Sequence, residues 1–158
     1  MDEQDWMGIY EKFQEMDKTR KNLLKRAVEP ENLLEQSAFY EFYSKQLKKA
    51  GQRNQLLRLV FCLPFIRHNG NGSTLGEAFA KFLNNRPIVS KKRVIQLSRI
   101  DDAVRGMVQL RRLLKQARDS SGFVELDWNK LAKLLWFWGG NTRRNILEDY
   151  FLSLNREK

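Results

Sequence analysis

The side chains in this sequence best equipped for chemistry are its arginines and lysines, and the chemistry they suit is neutralising phosphate. In "MVQLRRLLKQAR", residues 107–118, four basic residues are interleaved with apolar ones and no acid is present. On a helix, successive residues advance by about 100°. Met107, Leu110, Leu113, Leu114 and Ala117 then form a stripe suited to a core. Arg111, Lys115 and Arg118 make one basic row at i, i+4 and i+7, and Arg105 and Arg112 make a second row beside it. Like charges at this spacing repel by roughly 0.2–0.5 kcal/mol per pair. An anion laid along the rows offsets that repulsion. The preceding segment, "KKRVIQLSR", adds Lys91, Lys92, Arg93 and Arg99. Cations at the start of a helix oppose its dipole, at a cost of about 0.3–1 kcal/mol each.

Other chemistries find little to work with. His68 is the one histidine and stands at the edge of a loop. Cys62 is the one cysteine and lies in an apolar run, which predicts a buried, inert thiol and a reducing, cytoplasmic setting. No metal-ligand spacing is present, so neither metal nor cofactor is expected. "HNGNG" follows an apolar helix rather than a strand and lacks the lysine of a phosphate loop. The adjacent acids Asp101-Asp102 and Glu148-Asp149 could be imagined in a two-metal nuclease. A helix cap and a solvated face are the plainer readings, and the chain is read as non-enzymatic. The aromatics of "WNKLAKLLWFWGG" could stack bases. Trp128, Leu131, Leu135 and Trp138 instead share a core-like stripe, leaving Trp136 as the aromatic to watch.

The positive charge is concentrated. The net charge is +10, yet residues 1–50 hold nine basic and ten acidic side chains and residues 119–158 hold six of each. Residues 51–118 hold fourteen basic and three acidic ones. A surface serving solubility alone mixes both signs. A polyanionic partner is the natural inference. A basic amphipathic helix can also lie on a membrane. The leucine stripe here sits mid-chain among other amphipathic segments, where a core uses it better, and no run of about 18 apolar residues exists to span a bilayer.

The elements that must position these residues read as helices nearly throughout. Trp6, Ile9, Tyr10, Phe13 and Met16 step by three and four. A second helix is expected over 18–28, ending before Pro30, which opens a short turn. Further helices are expected over 37–49, 52–67 and 75–83, the last capped by Ser73 or Thr74. Ser90 caps the next, Asp101 or Asp102 the helix of the opening stretch, and Asp127 the tryptophan-rich one. "DSSGFVEL" reads as a loop, and Gly139 and Gly140 as a helix end, with Asn141 or Thr142 opening the last helix. The expected architecture is an all-α bundle of about seven to nine helices in one domain over 1–158. "HNGNGST", 68–74, is the boundary should the chain form two small lobes.

Eight segments in register resemble one family. They are "SAFYEFY" (37–43), "LLRLVFCL" (56–63), "IRH" (66–68), "LGEAFA" (75–80), "KKRVIQLSR" (91–99), "MVQLRRLL" (107–114), "LDWNKLAKLLWFWG" (126–139) and "ILEDYFLSLN" (146–155). The family is the small subunit, often called CasB, of the type I-E CRISPR surveillance complex Cascade, a ribonucleoprotein of antiviral defence. The resemblance implies an all-helical, non-enzymatic protein acting as a pair, one copy beside a second copy of itself. Its partners would be the repeated backbone subunits that hold the guide RNA, the large subunit, and the target and non-target DNA. Its basic face would hold the displaced non-target strand of the R-loop. The family's strand-binding arginines fall on Arg26, Arg99 and Arg112, and more loosely on Arg53 and Arg105. After "WFWG", where a member of the family carries a basic pair, this chain has Gly140-Asn141, and Arg143-Arg144 follow two to three residues later. An adaptor whose basic face docks an acidic protein is the alternative from another class.

Overall fold

The structure is a computed structural model and describes residues 5–43 and 52–157. Nine α-helices are seen among the described residues: α1 Trp6–Glu15, α2 Lys18–Lys25, α3 Ser37–Tyr40, α4 Arg53–Cys62, α5 Leu75–Ala80, α6 Lys91–Ser98, α7 Ala103–Ser121, α8 Trp128–Trp136 and α9 Gly140–Glu157. A 3-10 turn spans Pro30–Glu35 and another Leu63–Phe65. Four short strands complete the set: β1 Ile66–His68, β2 Phe82–Leu83, β3 Arg86–Pro87 and β4 Val124–Leu126. The fold class is all-α.

Short polar side chains start the helices, because they accept from backbone N–H groups that have no partner inside a first turn. Asp5 accepts from Gly8 N, Asp17 from Arg20 N, Ser90 from Arg93 N, Asp102 from Val104 N and Asp127 from Asn129 N. Thr74 and Glu77 form a reciprocal capping box on α5. Pro30 opens its turn as expected. In α7 the whole predicted stripe, Met107, Leu110, Leu113, Leu114 and Ala117, is buried.

The core is one cluster reaching from Ile9 to Tyr150. α4 is its hub: Leu56, Leu57, Leu59, Val60, Phe61 and Cys62 are all buried, and the helix packs against α7, α8 and the 30–35 turn. Arg58, in the middle of that run, turns its guanidinium to the end of α8. Its Nε donates to Leu135 O at 2.7 Å and its Nη2 to Trp136 O at 2.9 Å, covering carbonyls that a helix end leaves free. α9 lies along α5 and α6.

Several expectations give way. The helix over 52–67 stops at Cys62, because Pro64 forces a 3-10 turn, and the chain leaves it as β1. β1 pairs in parallel with β4, Ile66 opposite Val124 and His68 opposite Leu126. "DSSGFVEL" is therefore not one loop: α7 runs on to Ser121, Gly122 breaks it at φ +90°, and a strand follows. The helix over 75–83 ends at Ala80, and a hairpin turns at Asn84 and Asn85, both left-handed at φ 55° and 66°. Asparagine tolerates that conformation in two-residue hairpin loops. Gly140 opens α9 instead of ending α8, which stops at Trp136. Of the helix over 37–49, Ser37–Tyr40 is helical and residues 44–49 lie outside the described residues.

Candidate nucleic-acid interface

The outer face of α7 carries Arg105 and Arg112, seven residues and therefore about two turns apart. Both are exposed. Together with Glu29, Ile100, Val104, Val108 and Gln109 they line an open depression of about 280 Å³. Ile100, Val104 and Val108 supply its apolar part, and its cations come from α7. Arg99, the exposed C-cap of α6, immediately precedes Ile100 at the rim. Arg26, exposed at the C-cap of α2, lies three residues before Glu29. A neighbouring depression shares Val104 and is lined by Pro30, Glu31, Asn54, Leu57 and Arg58. Exposed Arg53 opens α4 beside Asn54. Arg105 and Arg112 thus line the first depression, while Arg26, Arg53 and Arg99 are exposed and lie within three residues in sequence of lining positions of one depression or the other.

Arg111 is held differently. Its guanidinium lies 4.1 Å from the Phe61 ring centre and 5.6 Å from that of Phe65, and its Nη1 donates to Lys25 O at 3.4 Å. Burial lowers its pKa from the ordinary arginine value, with Cys62 opposing. This packing ties α7 to the end of α2. Arg118 likewise lies 5.0 Å from the Phe65 ring and bridges Asp119 at 3.2 Å. The row of Arg111, Lys115 and Arg118 therefore faces α2, while the row of Arg105 and Arg112 faces the depression.

Arg143 and Arg144 part company. Arg143 is only 13% exposed; it donates to Ser98 O at 2.9 Å and bridges Asp101 at 3.1 Å. It thereby locks the start of α9 to the end of α6, next to Arg99. Arg144 is exposed. Arg93 donates to Gln116, which pins α6 to α7.

The remaining chemistry-bearing residues have structural duties. Asp102 caps α7 and Asp101 holds Arg143. His68 Nδ1 accepts from Trp128 N at 3.0 Å, and its backbone N donates to Tyr10 Oη at 3.1 Å, so the lone histidine splices β1 to the middle of α1 and the start of α8. Cys62 is fully buried. Trp136 proves buried, contrary to expectation, and the exposed aromatic of that turn is Phe137, 53% accessible. The helix stops one residue before Phe137, which frees that side chain from the core stripe. No group of three or more metal-ligating side chains occurs among the described residues. No helix there is long and apolar enough to cross a membrane.

Three comparisons bear on this arrangement. The family model described as CRISPR-associated protein Cse2 matches residues 21–151. The chain is 35% identical to the CRISPR system Cascade subunit CasB of Escherichia coli K12, over 98% of each protein. It also superposes, with a TM-score of 0.84 and 36% identity, on a chain from a crystal structure of E. coli Cascade bound to a PAM-containing double-stranded DNA target, covering 98% of this chain and 99% of that one. Matched in sequence across the arginine-bearing helices α6 and α7 and in fold over nearly its whole length, the chain belongs to the Cse2, or CasB, family of CRISPR-associated proteins.

Proposed function

We propose that this protein is the small, non-catalytic subunit of a type I-E Cascade and that it stabilises the R-loop by holding the displaced non-target strand. Its partners in that complex are the guide RNA, the target and non-target DNA, the repeated backbone subunits, the large subunit and a second copy of itself. The observation that carries the reading is the cationic rim of the α7 depression. Arg105 and Arg112 line it, and the exposed Arg99, Arg26 and Arg53 each come within three residues in sequence of a position lining it or the neighbouring depression. Arg144 extends the set past Arg143, whose own guanidinium positions the Arg99 turn.

The physical role is modest in energy and sufficient. Exchanging a DNA duplex for an RNA–DNA heteroduplex is nearly balanced in free energy, so a few backbone contacts tip it. Such contacts are electrostatic and indifferent to sequence. Replacing both Arg99 and Arg112 by alanine leaves two exposed positions shortened and the core untouched. The variant is expected to fold and to co-purify with guide-RNA ribonucleoprotein. The displaced strand of its R-loops should be cut faster by a single-strand nuclease than in wild type. Equal protection in the two complexes contradicts the assignment. If the chain copurifies with a protein partner whose contact survives complete digestion of RNA and DNA and buries the same arginines, the adaptor reading replaces it.

A further inference from the structure

A second cationic surface lies where α2 meets α7. Lys18, Lys21 and Lys25 stand at i, i+3 and i+7 on one face of α2. Arg111 reaches across to Lys25 O, and Arg118 comes one heptad further along α7. Lys115 is exposed between them. Aromatic rings fix these cations from below: Lys21 sits 5.4 Å from the centre of Phe13, and Arg111 and Arg118 share Phe65. Both rings are buried.

Among the described residues, no carboxylate is paired with these lysines. Asp119 is on Arg118, while Asp17 and Glu41 are both taken by Arg20. The cations therefore feel one another. Burial, then Arg118, Lys21 and Lys18, lower the pKa of Lys25 from its ordinary value. Folding alone gains nothing from such crowding, which costs a few tenths of a kcal/mol per pair, roughly.

We propose that this α2–α7 seam is a second phosphodiester-binding surface, which takes the backbone of single-stranded nucleic acid through Lys18, Lys21, Lys25 and Lys115. It rests on the reading that nucleic acid is the ligand of this protein, and it adds residues that the depression does not contain. Because the rings lie beneath the cations, recognition is of charge and not of bases.

The test is binding of the full-length chain to oligothymidylate between about 50 and 200 mM salt. The triple variant Lys18→Gln/Lys21→Gln/Lys25→Gln should bind about ten-fold or more weakly at the low-salt end. Its log–log salt slope should be shallower by about 2, at roughly 0.7 per single-strand phosphate contact. Its thermal midpoint should be no lower than that of wild type, since repelling charges have been removed. Lys18→Gln alone, at an exposed position, should flatten the slope by about 0.7, and serves if the triple variant does not fold. Inorganic polyphosphate should compete. Unchanged affinity and slope in these variants overturn the seam, as does a wild-type chain that binds no oligothymidylate. Arg105→Gln/Arg112→Gln in parallel keeps the two surfaces apart. Loss of binding there, with the lysine variants unaffected, sinks the seam and leaves the depression standing; the reverse pattern removes the depression and keeps the seam.

Discussion

Arg58, Arg111 and Arg112 carry the same guanidinium within one molecule and do three different things. Arg58 caps the end of α8, Arg111 lies on two phenyl rings, and Arg112 faces solvent at a concave rim. Residue type cannot separate these duties, which depend on what the fold brings opposite each side chain. Lone Arg58 inside "LLRLVFC" gave no warning of α8, whose last carbonyls lie seventy-seven and seventy-eight residues away. Arg58→Ala should destabilise the protein by about 2–3 kcal/mol, since charge-assisted hydrogen bonds are lost at half-buried carbonyls. A lower urea midpoint with an unchanged m-value checks this. Cys62 was legible, because an apolar run on both sides leaves a thiol nowhere to go but inside. Burial pushes its pKa up to about 12, and Tyr150, whose hydroxyl donates to Val89 O at 2.7 Å, is likewise raised to about 12. Both groups lose their protons more readily unfolded than folded. They therefore stabilise the fold below about pH 9 and cease to do so as pH climbs through the folded values near 12. Native protein at pH 8 should leave a thiol reagent unreacted, and unfolded protein should consume one equivalent, as one cysteine requires. Alkaline titration of stability should fall from about pH 9, and less steeply in a Cys62→Ala variant.

At the scale of elements, α5 and α9 show how closely two helices can be drawn together. A methyl group at Gly76 would come within 2.8 Å of Asp149 Cβ and Tyr150 N. Gly76→Ala should cost about 1–3 kcal/mol through overpacking, read as a loss in the denaturation midpoint, whereas Gly106→Ala meets only ordinary contact with Trp138 at 3.5 Å. The helices themselves were legible, since their caps and the stripe of α7 are local signals. What was not legible is what long range decides. Nothing within "IRH" reveals that its partner is Val124–Leu126, and three residues are too few to show an alternating period. The Asn84–Asn85 turn does carry a signal, two adjacent asparagines, but a helix expected to reach residue 83 covers the first strand of its hairpin. Pro64 marked the end of α4 in the same way.

Over the whole molecule, the surplus of fourteen basic against three acidic residues in 51–118 resolves into distinct fates. Arg58 and Arg111 are drawn into packing, Arg93 pins α6 to α7, Arg53 and Arg99 are left exposed, and Arg105 and Arg112 line the depression beside α7. Sequence position gave the sign and the stretch of the charge. The depression that concentrates it is assembled from α7, from Ile100 just past α6 and from Glu29 at the head of the 30–35 turn, and could be seen only in three dimensions. The central claim is that these exposed arginines hold nucleic-acid backbone in a Cascade. The most direct measurement is the salt dependence of target-DNA retention by the assembled complex, with wild-type chain and with Arg99→Ala/Arg112→Ala. The account predicts weaker retention at every salt concentration and a log–log slope shallower by about 0.7–0.9 per lost phosphate contact. Superimposable curves for the two complexes contradict it.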